Sequence, residues 1–399
     1  MGALLSMNLF RISMKNYSLR AVSDLCTDRF RELADSLGGV ACEDASPFVY
    51  LRDPRDLADV TMPVVELLIL LGAVLAFRHA WVLRRDTGDA TNLGVCLAAV
   101  AYVLVLEPPL YFPALFGIDD YVSAVFVHNE FTVGLLYHRL PLYILLLYPA
   151  LVYLAWVLVQ RLGVLERHGR VRGAVIASVC VGAVHQGFYS IFDQFGPDHL
   201  WWAWDTDTRT NAILVGDVPM SSTVNFALVM PTAFALACFL LLGRRVRPTT
   251  GSVVLPAIGI GFLTPLLSIP GQLPVTYLDL VDAPSYDAVR VVLWLMLVAA
   301  TAVLVRELVA AWRAPTVREP GLRGAYPTAY LALWLATFAI LAVVTPPAGV
   351  VAYLVPCYAL SLAVLVTVAR SPVGGVPRTR ARPGGGRGDR VVGRAPIGG

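Results

Sequence analysis

Charge is what this chain has least of. Only 15% of its 399 residues are charged and its mean hydropathy is +0.68, whereas a soluble domain carries roughly 25% charged residues. The deficit falls in whole windows without charge, which excludes an ordinary soluble domain. Lysine is nearly missing, with Lys15 alone. Together with the Ala, Gly, Val and Arg richness, that points to a GC-rich bacterial gene, a coding bias rather than a functional signal. Cysteine is scarce. Cys96, Cys180, Cys238 and Cys357 lie in apolar segments, where lone cysteines act as small packing residues. Cys26 and Cys42 lie in the N-terminal tail and pair only if that tail faces an oxidising compartment. There is no CxxC, no helical His pair, no P-loop, no dinucleotide fingerprint and no nucleophile elbow. His128, Glu130, His185 and His199 are suitable ligand types without ligand spacing, and Asp279, Asp282 and Asp287 sit in a loop that is acidic as external loops commonly are. No metal or cofactor is therefore expected. No apolar core follows a basic start, so no signal peptide is expected either.

What is present is a series of apolar runs near 61–83, 91–112, 140–160, 173–195, 219–242, 252–272, 287–309, 327–346 and 349–369. Each approaches the ~20 residues that cross a bilayer as a helix. The fold class expected is an all-α bundle of nine transmembrane spans. The count is ten if Asp119 to His138, which carries His128, Asn129 and Glu130, also crosses. A re-entrant or interfacial path for that segment is preferred, because it keeps Arg84 and Arg85 with the other Arg-rich loops. Those loops (Arg84-Arg85, Arg161 to Arg172, Arg244 to Arg247, Arg306 to Arg323) alternate with acidic or neutral ones. The positive-inside rule makes the Arg loops cytoplasmic in a cell-membrane protein. Residues 1–60 read as a polar tail. Within it, Leu19, Val22, Leu25, Phe30, Leu33 and Leu37 give an amphipathic helix lying on the membrane or on the protein, stopped by Gly38-Gly39. Residues 61–369 form the helical domain. Residues 370–399 are too rich in Gly, Pro and Arg to build a core and read as a disordered cytoplasmic tail, suited to anionic lipid headgroups rather than nucleic acid.

The ionisable residues inside the spans crowd towards one side. Placed by the 1.5 Å helical rise, Glu66, Glu107, His128, Glu130, Arg139, His185, Asp193, Asp217 and Asn225 all fall on the external half. Polar groups at membrane depth face inward and find partners, so they are expected to line one cavity. Helix-end placement or buried ion pairing explains any one of them as well. His185, Tyr189 and Asp193 at i, i+4 and i+8 share a helical face. Trp201, Trp202 and Trp204 follow beside Asp205 and Asp207. They read either as an aromatic belt or as a ligand wall.

The order Asp193, Pro197, Trp202-Ala203-Trp204, Gly216, Val218-Pro219, Ser222, Asn225 resembles a stretch of the polytopic carotenoid-biosynthesis membrane proteins of the carotenoid 1,2-hydratase (bisanhydrobacterioruberin hydratase) type. The likeness covers some forty residues. The chain lacks the paired Tyr before the Gly and the Gly-Trp after the Asn. What the resemblance implies is hydration or cyclisation of an isoprenoid polyene that reaches the site from the bilayer. That chemistry needs a carboxylic acid kept protonated in an apolar site. It also needs aromatic faces for the carbocation and control of water. Asp193 or Asp217 would be the acid, with Glu107 and Glu66 as further carboxyls. His185 would tune the acid or relay protons. Tyr189, Trp202 and Trp204 would face the cation, and Asn225, His128, Glu130 and Arg139 would complete the binding site. Two other classes stay open: a secondary or proton-coupled carrier, for which no internal repeat is visible, and a non-catalytic membrane protein held together by its polar groups.

Overall fold

The computed structural model describes residues 27–38, 46, 48–117, 126–131, 133–243, 248–314, 322–346 and 350–370. The Arg-rich C-terminal tail, Cys26 and Cys42, and the first part of the expected amphipathic helix lie outside the described residues. Among those described, nine helices are long and apolar enough to cross a membrane. They are α2 (Met62–Thr87), α3 (Thr91–Tyr111), α4 (Leu142–Arg161), α6 (Arg170–Asp198), α7 (Ser222–Leu241), α8 (Thr250–Leu280), α9 (Tyr286–Arg313), α10 (Leu322–Val344) and α11 (Val351–Arg370). Three short helices, α1 (Asp28–Asp35), a single turn at Pro113–Phe116 and α5 (Val164–His168), are also α-helical. This is the multi-pass all-α bundle expected from the apolar runs. The described part of Asp119 to His138 contains no spanning helix. It is two short strands and a turn, so the count of nine holds, while the strands themselves were not expected.

Burial separates a centre from a periphery. The most apolar windows of α4 and α6 are 83% and 78% buried inside the bundle, against 28% for α9. The outer helices therefore present Leu, Val and Ile outwards, the pattern of helices solvated by lipid. Proline sits inside α3, α4, α6, α8, α10 and α11 without ending them. Neighbouring helices and Ser or Thr side chains re-satisfy the carbonyls that proline leaves.

One end of the bundle carries a cap of short strands. β1 (Val49–Leu51) pairs with β3 (Val133–Leu135), which pairs with β4 (Leu140–Pro141). So residues 49–51, expected as part of a polar tail, belong to the folded cap. β2 (Phe126–His128) pairs antiparallel with β5 (Trp202–Trp204), and β6 (Leu214–Val215) with β7 (Val218–Pro219). In the β2–β5 ribbon His128 stands opposite Trp202, with Val127 opposite Ala203. Strand side chains alternate between faces, so Val127 and Ala203 point the other way. There they join a small cluster with Phe30, Ala34 and Leu37 of the α1 region. The described part of the amphipathic segment thus packs on the protein. Thr27 caps α1 by accepting from Phe30 N, and Arg29 fastens it to Asp205 at 3.0 Å and Asp207 at 2.9 Å.

Candidate functional site: a carboxyl and aromatic cavity beneath the strand cap

The cavity lies where the cap meets the bundle, among Glu107, His128, Ile144, Leu147, Tyr148, Tyr189, Phe192, Asp193, Trp202, Trp204 and Phe226. Helical periodicity puts these residues there. Ile144, Leu147 and Tyr148 lie at i, i+3 and i+4 on α4, and Tyr189, Phe192 and Asp193 repeat that spacing on α6. The Trp-Ala-Trp alternation of β5 supplies Trp202 and Trp204. Gly196 sets the height of that wall, since a Cβ there would run into the Trp202 indole. The volume swept by the centre of a water-sized molecule is ≈ 40 Å³, room for about three waters.

Two acids line this space. Tyr148 donates to Glu107 Oε1 at 3.0 Å, and Tyr111 stands one helical turn beyond Glu107 on the same face of α3. Ser222 donates to Asp193 Oδ2 at 2.8 Å. Ser222 opens a π-helical stretch, Ser222–Val229, that runs into the α-helical part of α7. Such wide turns are uncommon and gather at functional sites. Phe226, on this stretch, forms part of the wall. Asn225, beside it, is half-buried, and its Oδ1 has no partner among the described residues. The Trp202 indole N–H is also buried without an acceptor among the described residues.

His128 is buried with a tyrosine on each nitrogen: Tyr143 OH at 2.8 Å from Nδ1 and Tyr111 OH at 3.0 Å from Nε2. Burial pushes its pKa down to about 3. It is therefore neutral at ordinary pH, with one N–H donor and one acceptor nitrogen. His185 has a different place. Its Nδ1 donates to the carbonyl of Ala227 at 2.9 Å, and its ring stacks on Tyr189 with centroids 4.9 Å apart. Ala227 stands four residues before Pro231, which has no N–H to offer it, so His185 supplies a donor that the helix lacks. It braces the cavity from behind rather than lining it.

The remaining sequence candidates divide in two. Asp217 is exposed at the turn between β6 and β7 and does not approach the cavity. Its position next to Gly216 (φ 59°) is that of a hairpin turn residue. Glu66, Glu130 and Arg139 join a second buried cluster beneath β1 and β3. Glu66 accepts from Phe131 N at 2.9 Å, and Arg139 lies over the Phe30 ring, 3.4 Å from its centroid. Glu130 contacts His138, a residue that the sequence reading passed over. His138 ends a turn in which Leu136, Tyr137 and His138 all have positive φ (52°, 57° and 65°). Non-glycine residues in that region cost about 1–3 kcal/mol each and persist where the surroundings enforce them. Here Tyr50 stacks on the imidazole at 4.3 Å, and Gly134 leaves room for Glu130 and His138 to meet.

Burial raises Glu130 to about 8 and lowers His138 to about 3, with Arg52, Arg139 and Glu66 around them. Whichever atom holds it, the pair keeps one proton across that range. The stability contribution of a raised Glu130 is lost as pH climbs through about 8. That of a depressed His138 is present above 6.5 and lost as pH falls towards about 3. Between the ordinary values of 4.5 and 6.5 the two slopes cancel. Thermal unfolding in detergent should therefore be level across that window and weaken on both sides. By pH 8 the loss is about 2 kcal/mol, at ~1.4 kcal/mol per pH unit. The alkaline loss should vanish in Glu130→Gln. A stability that still falls between pH 6.5 and 8 in that variant would refute the assignment.

Among the described residues no group of three or more His, Cys, Asp or Glu is placed to hold a metal ion. The tyrosines Tyr111, Tyr143 and Tyr148 are the main site residues that sequence reasoning missed. At helix ends they look the same as an interfacial aromatic belt. Fold and cavity together define an integral membrane helical protein with a buried acid–aromatic chamber near one face. No protein-family model, curated protein or solved structure matches the chain.

Proposed function

We propose that the protein protonates an isoprenoid polyene within the bilayer and completes its hydration or cyclisation. The observation that carries this reading is the pairing of Glu107 and Asp193 in one aromatic-walled cavity. One carboxyl O–H adds its proton to an alkene carbon, leaving a carboxylate and a tertiary cation on the neighbouring carbon. In hydration a water oxygen bonds to that cation and its surplus proton passes to the second carboxylate. In cyclisation a second double bond attacks the cation, and a proton leaves from an adjacent carbon. Trp202, Trp204, Tyr189 and Phe192 offer π faces to the cation. The Trp202 N–H, with no acceptor of its own among the described residues, suits the oxygen of an attacking water or a tertiary alcohol. The small volume restricts the chamber to a chain end and a few waters, with the rest of the polyene in lipid. The resemblance to the carotenoid 1,2-hydratase type supports the same substrate class.

The test is a lipid extract, analysed by mass spectrometry, from a host that makes linear carotenoids and other polyprenyl lipids. Expression of the protein should add a product heavier by one water, or an isomer of the parent polyene. An unchanged lipidome, with the protein present in the membrane, would remove this reading. A proton-coupled carrier is the second reading, favoured by the π-helical break at Ser222–Val229 beside the cavity, because carriers bind cargo at interrupted helices. It predicts uptake or efflux driven by a proton gradient, with no new product. In both readings the Arg-rich loops and the C-terminal tail are cytoplasmic, and the tail contacts anionic headgroups.

A further inference from the structure

We infer that Tyr143, His128 and Tyr111 form a proton wire that reloads Glu107 from the capped end of the bundle. The inference rests on the proposed function in one respect only, that Glu107 gives up a proton in each cycle.

The links are geometric. The Tyr143 hydroxyl lies 2.8 Å from His128 Nδ1, and the Tyr111 hydroxyl 3.0 Å from His128 Nε2. Tyr111 stands one helical turn beyond Glu107 on α3, at i, i+4 on the same face as the carboxyl. Each group can release one proton while taking another, which is what a relay requires. At its outer end Tyr143 lies in the field of Glu66 and Glu130, the second of which contacts His138. The wire therefore joins two buried acidic clusters that otherwise have no reason to be linked. One of them is in the cavity and the other is beneath the strands.

The transfer balances. Starting from a spent Glu107 carboxylate, Tyr111 passes its hydroxyl proton to Glu107 and takes the Nε2 proton of His128. His128 takes the Tyr143 proton on Nδ1. Tyr143 is refilled from the Glu130 and His138 pair. The sum is one proton moved from the outer pair to Glu107, with His128 left as its other tautomer. No charge rests on the wire before or after. A buried histidine held neutral fits that role, since it changes tautomer without becoming an imidazolium. Among the described residues Asp193 has Ser222 as its one hydrogen-bond partner and no comparable path. The two carboxyls thereby take different roles. Glu107 is the proton donor that is resupplied, and Asp193 is the carboxylate that faces the cation and collects the released proton.

The test needs no substrate. The full-length protein, reconstituted in phospholipid bilayers, is switched from H2O to D2O while the carbonyl stretch of protonated carboxylic acids is followed by infrared spectroscopy. The band lost in Glu107→Gln identifies Glu107, and its downshift on deuteration times the exchange. Tyr111→Phe and Tyr143→Phe each keep the ring and remove the relaying hydroxyl. His128→Gln keeps a donor and an acceptor but cannot pass a proton between them. All three should slow Glu107 exchange on the order of 100-fold, the scale of a positioned proton-transfer group. Tyr153→Phe, which removes a buried hydroxyl bonded to His79 away from the wire, should exchange as the wild type does. Exchange at the wild-type rate in the folded Tyr111 and His128 variants would overturn the wire. So would the absence of any protonated band that Glu107→Gln removes. A negative lipid assay with slowed exchange in the variants would refute the polyene reading and leave the wire standing.

Discussion

Replacing Asp193 with Asn is expected to abolish the new lipid product while leaving the protein folded. Asn has the size of Asp and keeps an oxygen to accept from Ser222, which sits 2.8 Å from the present carboxylate. It cannot take up or release a proton in the cycle. Loss of a positioned acid or base costs ~10²–10⁴-fold in rate. Glu107→Gln should fall by a similar factor. The two carboxyls serve one cycle, so the double variant should be little worse than either single one. The product is quantified in lipid extracts and stability by thermal unfolding in the same detergent. Asp217→Asn is the internal comparison. That residue is exposed at a hairpin turn, so its substitution should leave product formation intact. If the Asp217 variant alone lost activity, the cavity described here would be the wrong site.

The contrast between Asp193 and Asp217 shows what the sequence carries and what it leaves out. Both are acids at the same end of neighbouring spans, and linear distance along a helix treats them alike. Only the pairing of β6 with β7 turns Asp217 outwards. The nine spans, by comparison, are written directly in runs of apolar residues, because the bilayer imposes one length on every crossing helix. The crowding of ionisable groups towards one end was also legible, since helical rise alone fixes depth. Their division into two clusters was not. It depends on short strands of two or three residues whose pairing leaves almost no periodic signal. His128 reached the cavity through its register with Trp202, and Glu130, two residues later, went to the other cluster. His185 had the right spacing from Tyr189 and Asp193 for a relay. Its donor instead serves Ala227, whose place four residues before Pro231 was visible in the sequence but whose distance from His185 was not.

The second large effect is expected at the opposite end of the bundle and separates cohesion from chemistry. Glu307 on α9 accepts from Arg167 at 2.7 Å and lies 2.8 Å from His168 Nε2, both on α5. Its carboxylate is almost wholly covered, at 1% exposure. Removing one member of a buried ion group leaves the others without compensation, which costs about 3–5 kcal/mol in well-buried cases. Arg167 is a quarter exposed, and Glu307 is covered by its two partners near a helix end rather than sunk among many helices. Glu307→Ala should therefore fall at the low end, about 3 kcal/mol. It should leave turnover of the folded protein unchanged, because neither α5 nor Glu307 lines the cavity. A protein whose polar groups serve only to hold it together predicts the same response at both ends, with Asp193→Asn and Glu307→Ala each lowering stability. The cavity reading predicts a crossed pattern, with activity lost at Asp193 and stability lost at Glu307. Unfolding midpoints and product yields measured on both variants decide between them.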